Sequence, residues 1–139
     1  MAASMGHTIT KEFRFEAAHR LTTPYRGKCQ HLHGHSFIVK VSVSAHELDE
    51  CGFVRDFASL SPLKEWIMSN LDHATLVSER DSELISFLRS SDQKHYAFPV
   101  NPTSEVLAQS IFMKASELGF EPSAVEIMET CTSAARFTK

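Results

Sequence analysis

Residues 29–45 read CQHLHGHSFIVKVSVSA. From His33 onward the odd positions are His33, His35, Phe37, Val39, Val41 and Val43, while the even ones are mostly small or polar (Gly34, Ser36, Lys40, Ser42, Ser44). A period of two predicts a strand over about 33–45. Alternation this regular belongs to an antiparallel sheet with one covered face. His33 and His35 continue the apolar row, so their imidazoles leave the strand side by side on that face. Gly34 between them allows close backbone approach.

Working outward, KEFRFEAAH over 11–19 alternates as well, with Phe13, Phe15, Ala17 and His19 on one parity. The loop RLTTPYRGKCQ follows, marked by Pro24 and Gly27. After a connection containing Gly52, Ser61-Pro62 opens a helix, since proline suits the first helical position. Leu60, Leu63, Trp66, Ile67 and Leu71 recur along it at helical spacing. The segment closes in NLDHATL, DSELISFLRSS is a weaker and shorter helix, and DQKHYAFPVNP is a loop or a brief strand at HYAF. Thr103 or Ser104 caps a further helix that Gly119 ends. SAVEIMET and AARFT read as two more strands. The order of strand, strand, helices, strand, strand predicts an α+β fold with helices on one face of an antiparallel sheet.

The 139 residues suffice for one domain, and no repeat or low-complexity tract divides them. Residues 1–10 read as a flexible lead-in, with Met5 as an alternative start, and 11–139 as a single domain. A net charge of −3 argues against nucleic acid and anionic lipid as partners. No apolar run is long enough for a membrane span, and the first residues lack the blocks of a signal peptide. The three cysteines, Cys29, Cys51 and Cys131, are an odd number without a secretion signal, which predicts a cytoplasmic chain with free thiols.

Eight histidines are unusual for this length, and four of them (His19, His31, His33, His35) fall between positions 19 and 35. His33 and His35 make a pair of imidazole ligands, and zinc in catalytic sites takes three protein ligands and one open position. His19 is the candidate third, because a polar ring that continues an apolar row needs a partner. Taken singly, a buried histidine is more often a hydrogen-bonded core residue; on matching strand faces the three together favour a metal. His31 reads as a loop side chain first. Cys29, at the mouth of the same strand, is open to three roles: an activated thiol, a passive loop thiol, or a fourth ligand that would close the site. Asp72-His73 has the residues of an aspartate-oriented histidine, and equally those of a solvated helix end. Glu129 shares parity with Val125 and Ile127, and a carboxylate on an apolar face is costly unless paired. It suits the guanidine-like edge of a pterin or guanine, or else this strand end is simply exposed.

FEAAHRL, CQHLHGHSF, GFVRDFASL, LDHATL, NPTSEVLA and METCTSAA, in this order over about residues 11–137, resemble the 6-pyruvoyl-tetrahydropterin synthase and 6-carboxytetrahydropterin synthase family. The resemblance implies a tunnelling fold, a four-stranded antiparallel sheet with two helices on one face. Three such sheets close into a β-barrel, and two trimers stack into a homohexamer. It implies Zn2+ on His19, His33 and His35. It implies Cys29 as the proton-transfer thiol with Asp72 and His73 as its catalytic partners. Glu129 would anchor the pterin ring, with Thr103 and Ser104 near that ring across a subunit boundary. The spacing from Cys29 to the His33-Gly34-His35 run, and ETCT, look like the carboxy branch, which acts on 7,8-dihydroneopterin triphosphate in 7-deazaguanine and queuosine synthesis. Gln30-His31 and the long segment 78–100 depart from its compact members. Competing readings are a pyruvoyl-type triphosphate lyase, a zinc- or pterin-binding protein without turnover, and a zinc hydrolase. The hydrolase lacks a carboxylate base of the H-E-x-x-H kind. No G-x-G-x-x-G points to a nicotinamide site.

Overall fold

The structure, a computed structural model, describes residues 6–139. The first five residues of the expected lead-in, Met5 included, lie outside the described residues. Strand β1 (His7–His19) begins before Lys11, so residues 7–10 of that lead-in belong to the sheet. It pairs antiparallel with β2 (His33–Ala45) from His7↔Ala45 to His19↔His33. Strand β5 (Ala124–Thr130) pairs antiparallel with β2, and β6 (Ser133–Thr138) with β5. These are the four strands that alternation predicts.

The sheet is nevertheless mixed and six-stranded, in the order β4-β3-β1-β2-β5-β6, which corrects the four-stranded antiparallel expectation. Strand β3 (Ala74–Ser78) lies parallel to the free edge of β1, and β4 (His95–Phe98) parallel to β3. Strand β3 hides from a periodicity reading because both its faces are covered. Leu76 packs into the main core, whereas Val77 packs with Leu84 and Leu88. A strand buried on both sides shows no alternation.

Three α-helices, one more than the resemblance implies, are found among the described residues: α1 (Ser61–Asn70), α2 (Ser82–Ser90), which is the short helix read at DSELISFLRSS, and α3 (Ser104–Glu117). Pro62 stands in the first turn of α1, as expected. Thr103 is the N-cap of α3, its hydroxyl accepting from the Val106 amide at 3.2 Å. Leu63 and Ile67 of α1, with Leu107, Ile111 and Ala115 of α3, pack onto Phe13, Phe15, Phe37, Val39, Val125 and Ile127. Helix α2 is the crossover that a parallel pair requires. It covers the other face of β3, so the helices do not all share one side. Over β1, β2, β5 and β6 that second face stays largely polar: Glu12, Lys40, Glu126 and Arg136 stand in register across it, with alternating charge. No helix of the described residues is long and apolar enough to cross a membrane.

One ion pair ties the end of β1 to α2. Arg20 Nε and Nη2 donate to the two oxygens of Asp81, each at 2.7 Å. Asp81 is buried and also caps α2 through the Leu84 amide. The Arg20 guanidinium holds the Asp81 carboxyl below its ordinary range, against the opposing effect of burial. A carboxylate with a depressed folded pKa adds stability above its unfolded value, and that stability is lost as pH falls through the folded one. Arg20→Ala strands a buried charge and should cost roughly 2–3 kcal/mol in urea unfolding at pH 7. The deficit should shrink on acidification below the ordinary value of 3.8. An equal deficit at pH 7 and pH 3 would show that the loss comes from packing alone.

Candidate metal centre and active site

The pairing of β1 with β2 sets His19 opposite His33 and Ala17 opposite His35. Three imidazoles are thereby gathered at one end of the covered face. Their ring centroids lie 4.7 Å (His19–His33), 5.1 Å (His19–His35) and 4.9 Å (His33–His35) apart. One nitrogen from each falls within 4.8 Å of the others. His19 is buried, so its neighbours define its chemistry.

Two of the rings are oriented by backbone carbonyls. His19 Nδ1 lies 2.8 Å from the Pro102 oxygen and His33 Nδ1 2.6 Å from the His31 oxygen. A carbonyl only accepts, so each Nδ1 carries a proton, which leaves Nε2 as the nitrogen open to a metal. His31 therefore serves through its backbone, while its side chain is exposed. His35 Nε2 is buried without a hydrogen-bond partner, a singular condition among the described residues. Burial lowers the pKa of His19 and of His35, and the neighbouring Glu129 carboxylate opposes it in both. Burial that disfavours the charged form of His19 and His35, carbonyl partners for two Nδ1 atoms and an orphaned buried nitrogen suit a divalent metal with nitrogen ligands. The residues fit a zinc ion.

Glu129 reaches this cluster through a bulge. Met128 pairs with Ala134 and Thr130 with Ser133, which leaves Glu129 as the extra residue of β5. Bulges re-aim side chains, and here the carboxylate comes within 3.6 Å of His19 Nε2. Cys29 lies in a short 3-10 turn (Lys28–Gln30), held by the Leu21 amide donating to its carbonyl at 2.8 Å. It is half-buried. Cys29, His19, Glu129, Thr103 and Ser104 line one cavity of about 220 Å³. Thr103 and Ser104 line this cavity from the same chain as Glu129. Glu105, which no motif in the sequence singled out, lines the same cavity.

Asp72 and His73 are elsewhere. Asp72 Oδ2 accepts from His73 Nδ1 at 2.7 Å, and Oδ1 from the Glu16 amide at 2.9 Å. Burial opposes ionisation of Asp72, but the Glu16 amide, His73 and Lys94 outweigh it and hold the carboxyl below its ordinary range. Lys94 Nζ donates to the Asp72 and Met68 carbonyls at 2.6 and 3.1 Å. His73 has φ of 56°, a left-handed conformation that a non-glycine residue holds only when its surroundings demand it. Its ring is exposed and lines a second cavity of about 400 Å³ with His35, Ser36, Glu16 and Lys94. Cys29 does not line that cavity. A single chain thus joins the thiol to Glu129 and the histidine to His35, on two sides of the cluster.

The orphaned nitrogen makes a stability prediction. His35→Phe keeps a ring of similar size and removes an unpaired buried polar atom. The metal-free protein should gain roughly 1 kcal/mol in urea unfolding with chelator present. A loss of stability there would mean that His35 Nε2 has a partner in solution.

The 6-pyruvoyl tetrahydropterin synthase family description matches residues 8–139. Relatives named 6-carboxy-5,6,7,8-tetrahydropterin synthase include one from Synechocystis, 40% identical over 93% of this chain and 91% of its own. Another, from Haemophilus influenzae, is 34% identical over 90% and 94%. A solved structure of a Wolinella succinogenes protein superposes with a TM-score of 0.80 at 26% identity, covering 97% of this chain and 99% of that one. The Caenorhabditis elegans 6-pyruvoyl tetrahydropterin synthase gives 0.74 at 22%, covering 100% and 99%, a likeness of fold. By the span of the family match and the identity of these relatives, the chain belongs to the 6-pyruvoyl tetrahydropterin synthase family.

Proposed function

We propose that the chain is a zinc-dependent carbon–carbon lyase. It converts 7,8-dihydroneopterin triphosphate and water to 6-carboxy-5,6,7,8-tetrahydropterin, acetaldehyde and triphosphate. The observation that carries this reading is the three-histidine cluster with Glu129 and Cys29 at its side. Relatives at 34–40% identity that bear the carboxy-synthase name support the choice of product.

His19, His33 and His35 hold the metal, which when bound polarises the oxygens of the substrate side chain. Glu129 accepts the N–H groups of the pterin edge, and Thr103 and Ser104 line the same pocket. Cys29 as thiolate takes a proton from the substrate side chain, and His73, oriented by Asp72, serves as the other acid–base group. The ring reaches the tetrahydro level by proton relocation within the substrate, so no nicotinamide takes part. The product fits the synthesis of 7-deazaguanines such as queuosine in the cytoplasm.

Because Cys29 and His73 line different cavities of one chain, the working site combines groups from neighbouring subunits. The sheet has two open edges, β4 and β6, and open edges pair with other chains. Joining subunits edge to edge into a barrel removes them. The polar row Glu12, Lys40, Glu126 and Arg136 then faces a wet interior. The assembly is a hexamer of two stacked trimers.

Product analysis by mass spectrometry tests the reaction. Zinc-loaded protein given 7,8-dihydroneopterin triphosphate should yield 6-carboxytetrahydropterin and acetaldehyde. A 6-pyruvoyl product without acetaldehyde moves the chain to the sister reaction, and an untouched substrate overturns the lyase reading. His33→Ala should lose most bound zinc by metal analysis, since two imidazoles make a poor site. Cys29→Ala should keep its zinc and lose turnover; loss of zinc instead would make Cys29 a ligand. Mixing inactive Cys29→Ala with inactive His73→Ala subunits should restore partial activity, and none after verified exchange would overturn the shared site.

A further inference from the structure

Asn101 has no part in the chemistry above, yet its side chain is committed on both ends. Its Oδ1 accepts from the Thr22 amide at 2.9 Å and from the Thr22 hydroxyl at 3.2 Å, and its Nδ2 donates to the Thr22 carbonyl at 2.9 Å. Thr22 lies three residues beyond His19, so this amide ties the chain leaving β1 to the turn before α3. The next residue in that turn is Pro102, whose carbonyl accepts the His19 Nδ1 proton at 2.8 Å. Proline has no N–H of its own to anchor it. The turn is fixed from either side instead: by Asn101 on Thr22, and by the Thr103 hydroxyl on the Val106 amide.

We propose that Asn101 is a positioning residue for the metal centre. By locking the Pro102 carbonyl onto His19 Nδ1, it holds that ring in the tautomer that leaves Nε2 open to a metal. The inference deepens the metal reading and rests on it. His19 is the buried member of the cluster, and solvent offers its Nδ1 no substitute acceptor. If the carbonyl swings away, the proton is free to move to Nε2, the nitrogen that must bind. Partners of a ligating imidazole are worth about ten- to a hundred-fold in metal affinity.

The test measures zinc affinity by chelator competition and the His19 tautomer by imidazole 15N shifts, alongside the melting temperature of the metal-free protein. Asn101→Ala should weaken zinc binding by about ten- to a hundred-fold and turn the single Nδ1–H signal of His19 into a mixture. Thr22→Ala removes only the weaker hydroxyl contact and keeps both backbone bonds, so its affinity should stay near that of the unsubstituted chain. Asn101→Asp, which keeps the acceptor but faces the Thr22 carbonyl without a donor, should resemble Asn101→Ala and replaces it if that variant fails to fold. Unchanged affinity with a single tautomer in either Asn101 variant overturns the inference and leaves the metal reading standing. An unsubstituted chain that takes up no zinc overturns both.

Discussion

The site depends on the register of β1 against β2. With His19 opposite His33, and with His35 two residues further along β2, all three imidazoles emerge on the face that also carries Phe13, Phe15 and Phe37. A slip of one residue would send every side chain of one strand to the opposite face. Two histidines would then separate from the third, and the apolar row would be exposed with them. The burial that drives folding and the geometry that gathers the imidazoles are therefore enforced by one alignment. Thirteen residues of continuous pairing in each strand make that alignment hard to shift.

That alignment places the cluster at the rim of the core rather than inside it. Phe37 and His35 stack edge to face 5.3 Å apart, so the hydrophobic layer passes directly into the polar one. Polar atoms at that rim need partners: the Pro102 carbonyl serves buried His19, the His31 carbonyl serves the less buried His33, and His35 Nε2 has none. The structure accepts a locally unfavourable arrangement there, and a bound metal ion is its natural compensation. Glu129 brings its carboxylate to the same rim by leaving the regular ladder at a bulge.

The opposite flank is organised by the long segment between β3 and α3. Through α2 it supplies Asp81 to Arg20 at the end of β1, and through β4 it supplies Lys94 beneath the Asp72–His73 turn. Both contacts act on residues that flank the histidine cluster. The added length therefore braces the Asp72–His73 turn and covers the second face of β3.

In the sequence, alternation was enough to locate β1, β2, β5 and β6, the faces they bury, and the three histidines that share one. Those features follow from local parity, which two-residue periodicity records in full. The positions of α1 and α3 were equally legible, since proline, caps and helical spacing are local signals. What tertiary structure alone decided is everything that depends on contacts between distant segments. Strand β3 lacks alternation because α2 covers its second face. The Pro102 carbonyl becomes a partner of His19 only when the turn before α3 folds back on β1. Cys29 and His73, both read as possible acid–base groups, come to different sides of the cluster because a loop carries one and the start of a parallel strand the other. Residue identity and spacing declare which groups are available; only the packing of segments far apart in the chain decides which of them meet.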